Sequence, residues 1–103
     1  AGLLDLVEKN RVVVKEFMAE HLPAVRVFDL EGTYLQWMDF RAFGRSAEEL
    51  QRINEQEAFV FFDEGAMFGE EGAGFERMNL ATPTAAVEAA LNRLAESYSL
   101  LSV

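Results

Sequence analysis

The sequence predicts an α+β domain, with helices packed on an antiparallel or mixed sheet of about four strands. Three observations predict it. Apolar residues near both ends of the chain recur at helical spacing, the stretches between them alternate or run apolar at strand length, and a helix-capping sequence interrupts those strands midway. With 103 residues the chain has room for one core. Neither a linker nor an internal repeat divides it, so residues 1–103 read as one domain.

The expected order is helix, strand, strand, helix, strand, strand, helix. Leu3, Val7, Val14, Phe17, Met18 and Leu22 form one face of a long first helix, with Asp5, Glu8, Lys9, Arg11, Lys15, Glu16 and Glu20 on the other and Pro23 closing it. Val25 to Phe28 alternates, Glu31-Gly32 supplies a turn, and Thr33 to Phe40 is rich in aromatic and β-branched residues, which together suggest a hairpin. Ser46-Ala47-Glu48-Glu49 has the spacing at which a serine hydroxyl and a glutamate three residues on satisfy each other's backbone donors, so a short helix starts there. Ala58 to Phe62 is an unbroken apolar run expected as a central strand. Asp63 to Gly74 reads as a long loop carrying glycines at 65, 69, 72 and 74 and acids at 63, 64, 70 and 71. Phe75 to Ala81 alternates again, with Met78 and Leu80 on one face and Phe75, Arg77 and Asn79 on the other. Thr82-Pro83 then opens a last helix carrying Val87, Leu91, Leu94, Tyr98 and Leu101 on its apolar face.

Composition excludes several functions. Eighteen acidic residues against nine basic ones leave a net charge of −9, which repels nucleic acid and anionic membrane surfaces. Without cysteine there is no disulfide, thiolate nucleophile or Cys-based metal site, and one histidine cannot make a His-rich centre. No apolar run has the length of a membrane span, no signal peptide is recognised, and a cytoplasmic location is expected.

Few constellations carry chemistry. Gly69 and Gly74 have the separation of the outer glycines of a P-loop, but Phe75 stands where its lysine belongs and four carboxylates would repel a phosphate. Glu70 and Glu71 would be the acids of a small hydrolase, yet adjacent residues point apart and no histidine or metal-ligand set accompanies them. His21 reads as a favourable charge at the end of the first helix. Tyr34, Trp37 and Phe40 read as core, with an aromatic ligand shelf as the alternative. Arg77 differs from these. An arginine on a sheet keeps its charge, and its planar fork holds a carboxylate through two parallel hydrogen bonds. A structural ion pair or simple exposure would also account for it.

Glu31-Gly32-Thr33-Tyr34-Leu35-Gln36-Trp37-Met38-Asp39 and the stretch from Gly65 through Arg77 to Pro83 resemble the C-terminal part of fold-type I, class I/II aminotransferases. Within that family the likeness is to the cystathionine β-lyase and carbon–sulfur lyase branch. Asn10-Arg11 and Glu20-His21-Leu22-Pro23 fit the same branch, so the resemblance covers nearly the whole chain. It implies that Arg77 grips the α-carboxylate of an amino-acid substrate and that pyridoxal phosphate is held by a large domain outside this chain, in a parent that is a homodimer. Glu64-Gly65 and Pro83-Thr84 depart from the Pro-Gly and Pro-Arg common in the family. They leave the carboxylate clamp intact while blurring lyase against transaminase.

Chemistry on that cofactor needs a lysine amine. The lysines are Lys9 and Lys15, both on the polar face of the first helix. The chain is therefore expected to be the small domain of a two-domain enzyme, inert by itself and binding no cofactor. The alternative is a free-standing α+β module that recognises a small ligand or a partner protein without catalysis.

Overall fold

The computed structural model of the chain describes residues 2–29, 34–58, 63–64, 74–99 and 101, with Asp29, Asp63 and Glu64 as backbone only. It is α+β. Helix α1 spans Leu3–His21, strand β1 Arg26–Asp29, strand β2 Leu35–Asp39, helix α2 Ala47–Arg52, strand β3 Asp63–Glu64, strand β4 Phe75–Asn79 and helix α3 Thr84–Tyr98. A 3-10 turn at Arg41–Phe43 precedes α2, and one turn of π-helix at Ile53–Glu57 extends it. The strands lie in the order β1-β2-β4-β3, each pair antiparallel. β3 is only two residues long, so three strands carry the sheet.

Register decides which residues share a face. Val27 pairs with Met38 and Met38 with Glu76, while Gln36 pairs with Met78, so these side chains project to one side. All three helices pack on that side. Val7, Val14 and Met18 of α1 and Val87, Leu91 and Leu94 of α3 form the core with Met38, Met78 and Leu80. Phe40, Phe43 and Tyr98 close one end of it, with ring centroids 4.7–6.3 Å apart. Burying side chains of this size supplies about 1.5–3 kcal/mol each.

Polar groups also lie inside that core. Asn10 is fully buried; its Nδ2 donates to the backbone oxygens of Leu80 and Thr82, each at 2.8 Å, and its Oδ1 accepts from Thr84 Oγ1 at 2.7 Å. The middle of α1 is thereby tied to the link between β4 and α3. Tyr98 Oη donates to Asn54 Oδ1 at 2.6 Å, and Asn54 Nδ2 lies 3.5 Å from Glu76 Oε1. This joins the end of α3 to the π-helical turn and to β4.

Several expectations shift in detail. The middle helix begins with Ser46, whose Oγ accepts from Glu49 N at 3.1 Å as its spacing predicts. It then runs through its π turn to Glu57. Ala58, expected to open a central strand, instead closes that turn, its N–H donating to Ile53 O at 2.9 Å. Residues 59–62 of the expected strand, the Glu31-Gly32 turn and residues 65–73 of the glycine-rich stretch lie outside the described residues. The last helix starts one residue late. Pro83 occupies its N-cap with no side-chain cap, because proline carries no side-chain acceptor; the Thr84 hydroxyl donates to Asn10.

Candidate functional site

The second face of the sheet carries no helix among the described residues. Trp37 stands between Phe28 on β1 and Arg77 on β4, and Asp39 between Arg26 and Phe75. Asp63 is the register partner of Arg77 on its other side. Strand alternation puts Arg77 here because its neighbours Glu76 and Met78 point into the core. Arg77, Trp37 and Phe75 are half-buried and Phe28 is exposed.

Arginines and rings alternate across this face. The Arg26 guanidinium carbon lies 5.3 Å from the Phe28 ring centroid and that of Arg41 4.6 Å from the Phe75 centroid. The Trp37 and Phe75 rings meet edge to face at 5.8 Å. Such stacking leaves the edges of a guanidinium free to donate while the ring covers its plane. Among the described side chains this aromatic face carries Arg26, Arg41 and Arg77 beside Asp39, in a chain of net charge −9.

Arg41 is held at this face from the end of β2. Its Nε donates to Asp39 Oδ1 and its Nη2 to Asp39 Oδ2, each at 2.9 Å, and its backbone N–H donates to Oδ1 at 2.9 Å. Asp39 is buried whereas Arg41 reaches solvent. The side-chain hydrogen bonds from Arg41 hold the Asp39 carboxyl below its ordinary value near 3.8; burial opposes this, and the Arg41 backbone N–H and the charges of Arg41 and Arg26 reinforce it. The same contact raises Arg41. Because the folded state gives up this proton more readily than the unfolded chain, the stabilisation is complete above the ordinary value. It disappears as pH falls through the folded one. Asp39→Asn is accordingly expected to lower stability at neutral pH and to flatten its decline below about pH 4, in urea titrations at stepped pH. An unchanged acid profile would refute that assignment.

The other sequence candidates fall elsewhere. His21 is the last residue of α1, exposed, its ring 4.5 Å from Phe17 and its Nε2 3.7 Å from Glu20, in keeping with a helix-end charge. Tyr34, Trp37 and Phe40 make no common shelf: Phe40 is in the core, Trp37 on the opposite face, and Tyr34 exposed. Glu70 and Glu71 lie outside the described residues. Lys9 and Lys15 are both exposed on α1, the helix packed against the far side of the sheet from Arg77. Among the described residues no cluster of His, Asp or Glu could hold a metal, and no helix is long and apolar enough to cross a membrane. A cavity of about 230 Å³ between the ends of α1 and α3, lined by His21, Leu22, Pro23, Phe43, Tyr98 and Leu101 among others, shares no residue with the Arg77 face.

The Asp39–Arg41 pair and the buried Asn10 and Glu76 were not singled out from sequence. Signals for them existed. Asn10 falls at helical spacing between Val7 and Val14, a polar residue inside an apolar stripe, and Glu76 has the parity of Met78 and Leu80.

No family model matches the chain. Among curated proteins it is 32% identical to the cystathionine β-lyase PatB of Bacillus subtilis over 97 residues, which is 94% of this chain and 25% of that protein. Among solved structures it superposes on cystalysin from Treponema denticola, described as containing a pyridoxal 5′-phosphate cofactor, with a TM-score of 0.91 and 39% identity over 95% of this chain. It also superposes on a putative pyridoxal phosphate-dependent β-cystathionase from Corynebacterium diphtheriae, with a TM-score of 0.82 and 30% identity. The chain spans about a quarter of the length of each.

Proposed function

Because the chain belongs with the C-terminal portion of fold-type I aminotransferases and carbon–sulfur lyases, in the cystathionine β-lyase branch, we propose that it is the small domain of such an enzyme and that Arg77 binds the substrate α-carboxylate. One observation carries this reading. Arg77 stands on the aromatic face of the sheet, which carries no helix among the described residues, where its fork can meet an anion from outside the domain without disturbing the core. Its guanidinium supplies paired donors matched to a carboxylate.

The cofactor would be held by the remaining three-quarters of the parent, which also supplies the lysine that this chain lacks at the site. When bound there, pyridoxal phosphate acts as an electron sink for bonds at the α-carbon of an amino acid. The contribution of this chain is to bind and orient. A carboxylate fixed by two parallel hydrogen bonds has one allowed rotation, which sets the direction of the α-carbon bonds toward the cofactor domain. The parent acts as a homodimer on amino acids, by transamination or by cleavage of a carbon–sulfur bond.

Alone, the chain is expected to bind no amino acid. Charge-assisted hydrogen bonds contribute about 1.5–3 kcal/mol each, whereas association costs about 4–15 kcal/mol. Calorimetric titration of this chain with cystathionine and with aspartate should give no heat beyond dilution. The full-length parent loaded with pyridoxal phosphate should bind and turn over one of the two. Micromolar binding to the chain by itself would favour a free-standing ligand-binding module and overturn the proposal.

A further inference from the structure

The charged pair at the end of β2 sits too close to the start of β4 to serve only itself. Arg41 Cγ lies 2.7 Å from where a Cβ on Gly74 would be, so the arginine stem runs directly over the Gly74 backbone. Gly74 has φ +89°, a conformation that strains other residues, and its oxygen accepts from Phe40 N at 2.9 Å. The position where the chain enters β4 is therefore clamped from both sides. Beyond Gly74 the Arg41 guanidinium covers Phe75, the Phe75 and Trp37 rings meet edge to face, and Trp37 is register-opposite Arg77. Phe75 is also the neighbour of Arg77 two residues back on the same face of β4.

We propose that the Asp39–Arg41 pair is a positioning element for Arg77, acting through the Phe75 and Trp37 rings. A long arginine side chain samples many rotamers and loses affinity in proportion to the freedom it gives up on binding. Here that freedom is restricted beforehand. The two-pronged hold of Asp39 fixes the Arg41 plane, that plane covers the Phe75 ring, Phe75 meets Trp37, and register and strand alternation make these two rings the neighbours of Arg77 on that face. Lysine at position 41 would keep the charge and the stem against Gly74 while losing the planar fork that stacks and chelates.

Arg41→Lys is the test, read first in this chain by the Nε–H resonances of its arginines in an ¹⁵N correlation spectrum. The Arg77 resonance should shift and broaden. Those of Arg11, whose Nε bonds Glu8, and Arg93, whose Nε donates to Ala58 O, lie on other elements and should stay in place. Emission from the single tryptophan, Trp37, should change with the Arg77 signal. An unmoved Arg77 resonance in a folded Arg41→Lys protein overturns the proposal. Should that variant not fold by circular dichroism, Asp39→Asn, which keeps the side-chain size, carries the same readouts. The kinetic consequence rests on the carboxylate-binding reading of Arg77. In the full-length parent Arg41→Lys should raise KM for the amino acid about tenfold with kcat within about twofold, as expected when binding rather than chemistry is affected. The two readings can fail separately. A moved Arg77 resonance together with an Arg77→Lys parent of unchanged kinetics upholds the positioning role and removes the carboxylate role.

Discussion

Arg77→Lys in the full-length parent is expected to lower kcat/KM for its amino-acid substrate about 30-fold. The reasoning is geometric. Lysine keeps the positive charge on β4 but presents a point cation where arginine presents two parallel N–H groups, so one charge-assisted hydrogen bond is lost. Such a bond is worth about 2 kcal/mol, and each 1.4 kcal/mol is a factor of ten. Arg77→Ala, which removes both, should cost about 1000-fold on the same arithmetic. Steady-state kinetics on parent proteins of matched cofactor content would measure both. Since Arg77 projects away from the residues that build the core, neither change should lower the melting temperature of this chain by more than a few degrees. Unchanged efficiency in the lysine variant would take Arg77 out of substrate binding.

The largest effect on folding is expected at Asn10. Asn10→Ala should destabilise the chain by about 3 kcal/mol, because it strands groups that the fold has already removed from water. Leu80 is fully buried and its carbonyl would lose a 2.8 Å donor; Thr82 O loses its donor at 2.8 Å and the Thr84 hydroxyl its acceptor at 2.7 Å. The last two are half-buried and can recover water, which is why the expected cost is nearer that of one or two stranded groups than of three. For a domain of this size the change corresponds to a drop in melting temperature of about 15 °C. Asn10→Asp should be at least as damaging, because a carboxylate would face two carbonyl oxygens with no proton to share. Urea unfolding followed by far-UV circular dichroism would check this. A loss below about 1 kcal/mol would mean that water replaces the amide.

What the sequence made legible follows from which forces are periodic. Burial of apolar side chains repeats at the helical and strand periods, so α1, α3, the β1–β2 hairpin and the parity of β4 could be read from spacing alone. Parity also set Arg77 apart from Met78 and Leu80. Cross-chain polar contacts have no period. Nothing in the spacing pairs Asn10 with Thr84, since the two are brought together only when α1 lies across the end of β4. The Asp39–Arg41 pair is close in sequence yet illegible for another reason. An i, i+2 pair on a regular strand shares a face but does not normally chelate; it does so here because the chain turns into a 3-10 segment at Arg41. The Ala58 expectation turned on a choice that short apolar runs leave open between strand and helix end, and Ile53 decided it by accepting the Ala58 N–H in a π turn.

The one-sided placement of the helices has a consequence for how such a domain can change over generations. Selection for foldability acts on Val14, Met38, Leu80, Leu91 and their neighbours, behind the sheet. On the proposed carboxylate-binding role of Arg77, ligand preference would be set by Trp37, Phe75, Arg77 and Phe28, in front of it. Because alternate residues of the same strands answer to different pressures, a lineage can retune what it recognises by substituting every second position of β2 and β4 without renegotiating its core. Asp39 is where the two meet: a buried residue at the end of the front row, and the place where a change in specificity would be felt first as a change in stability.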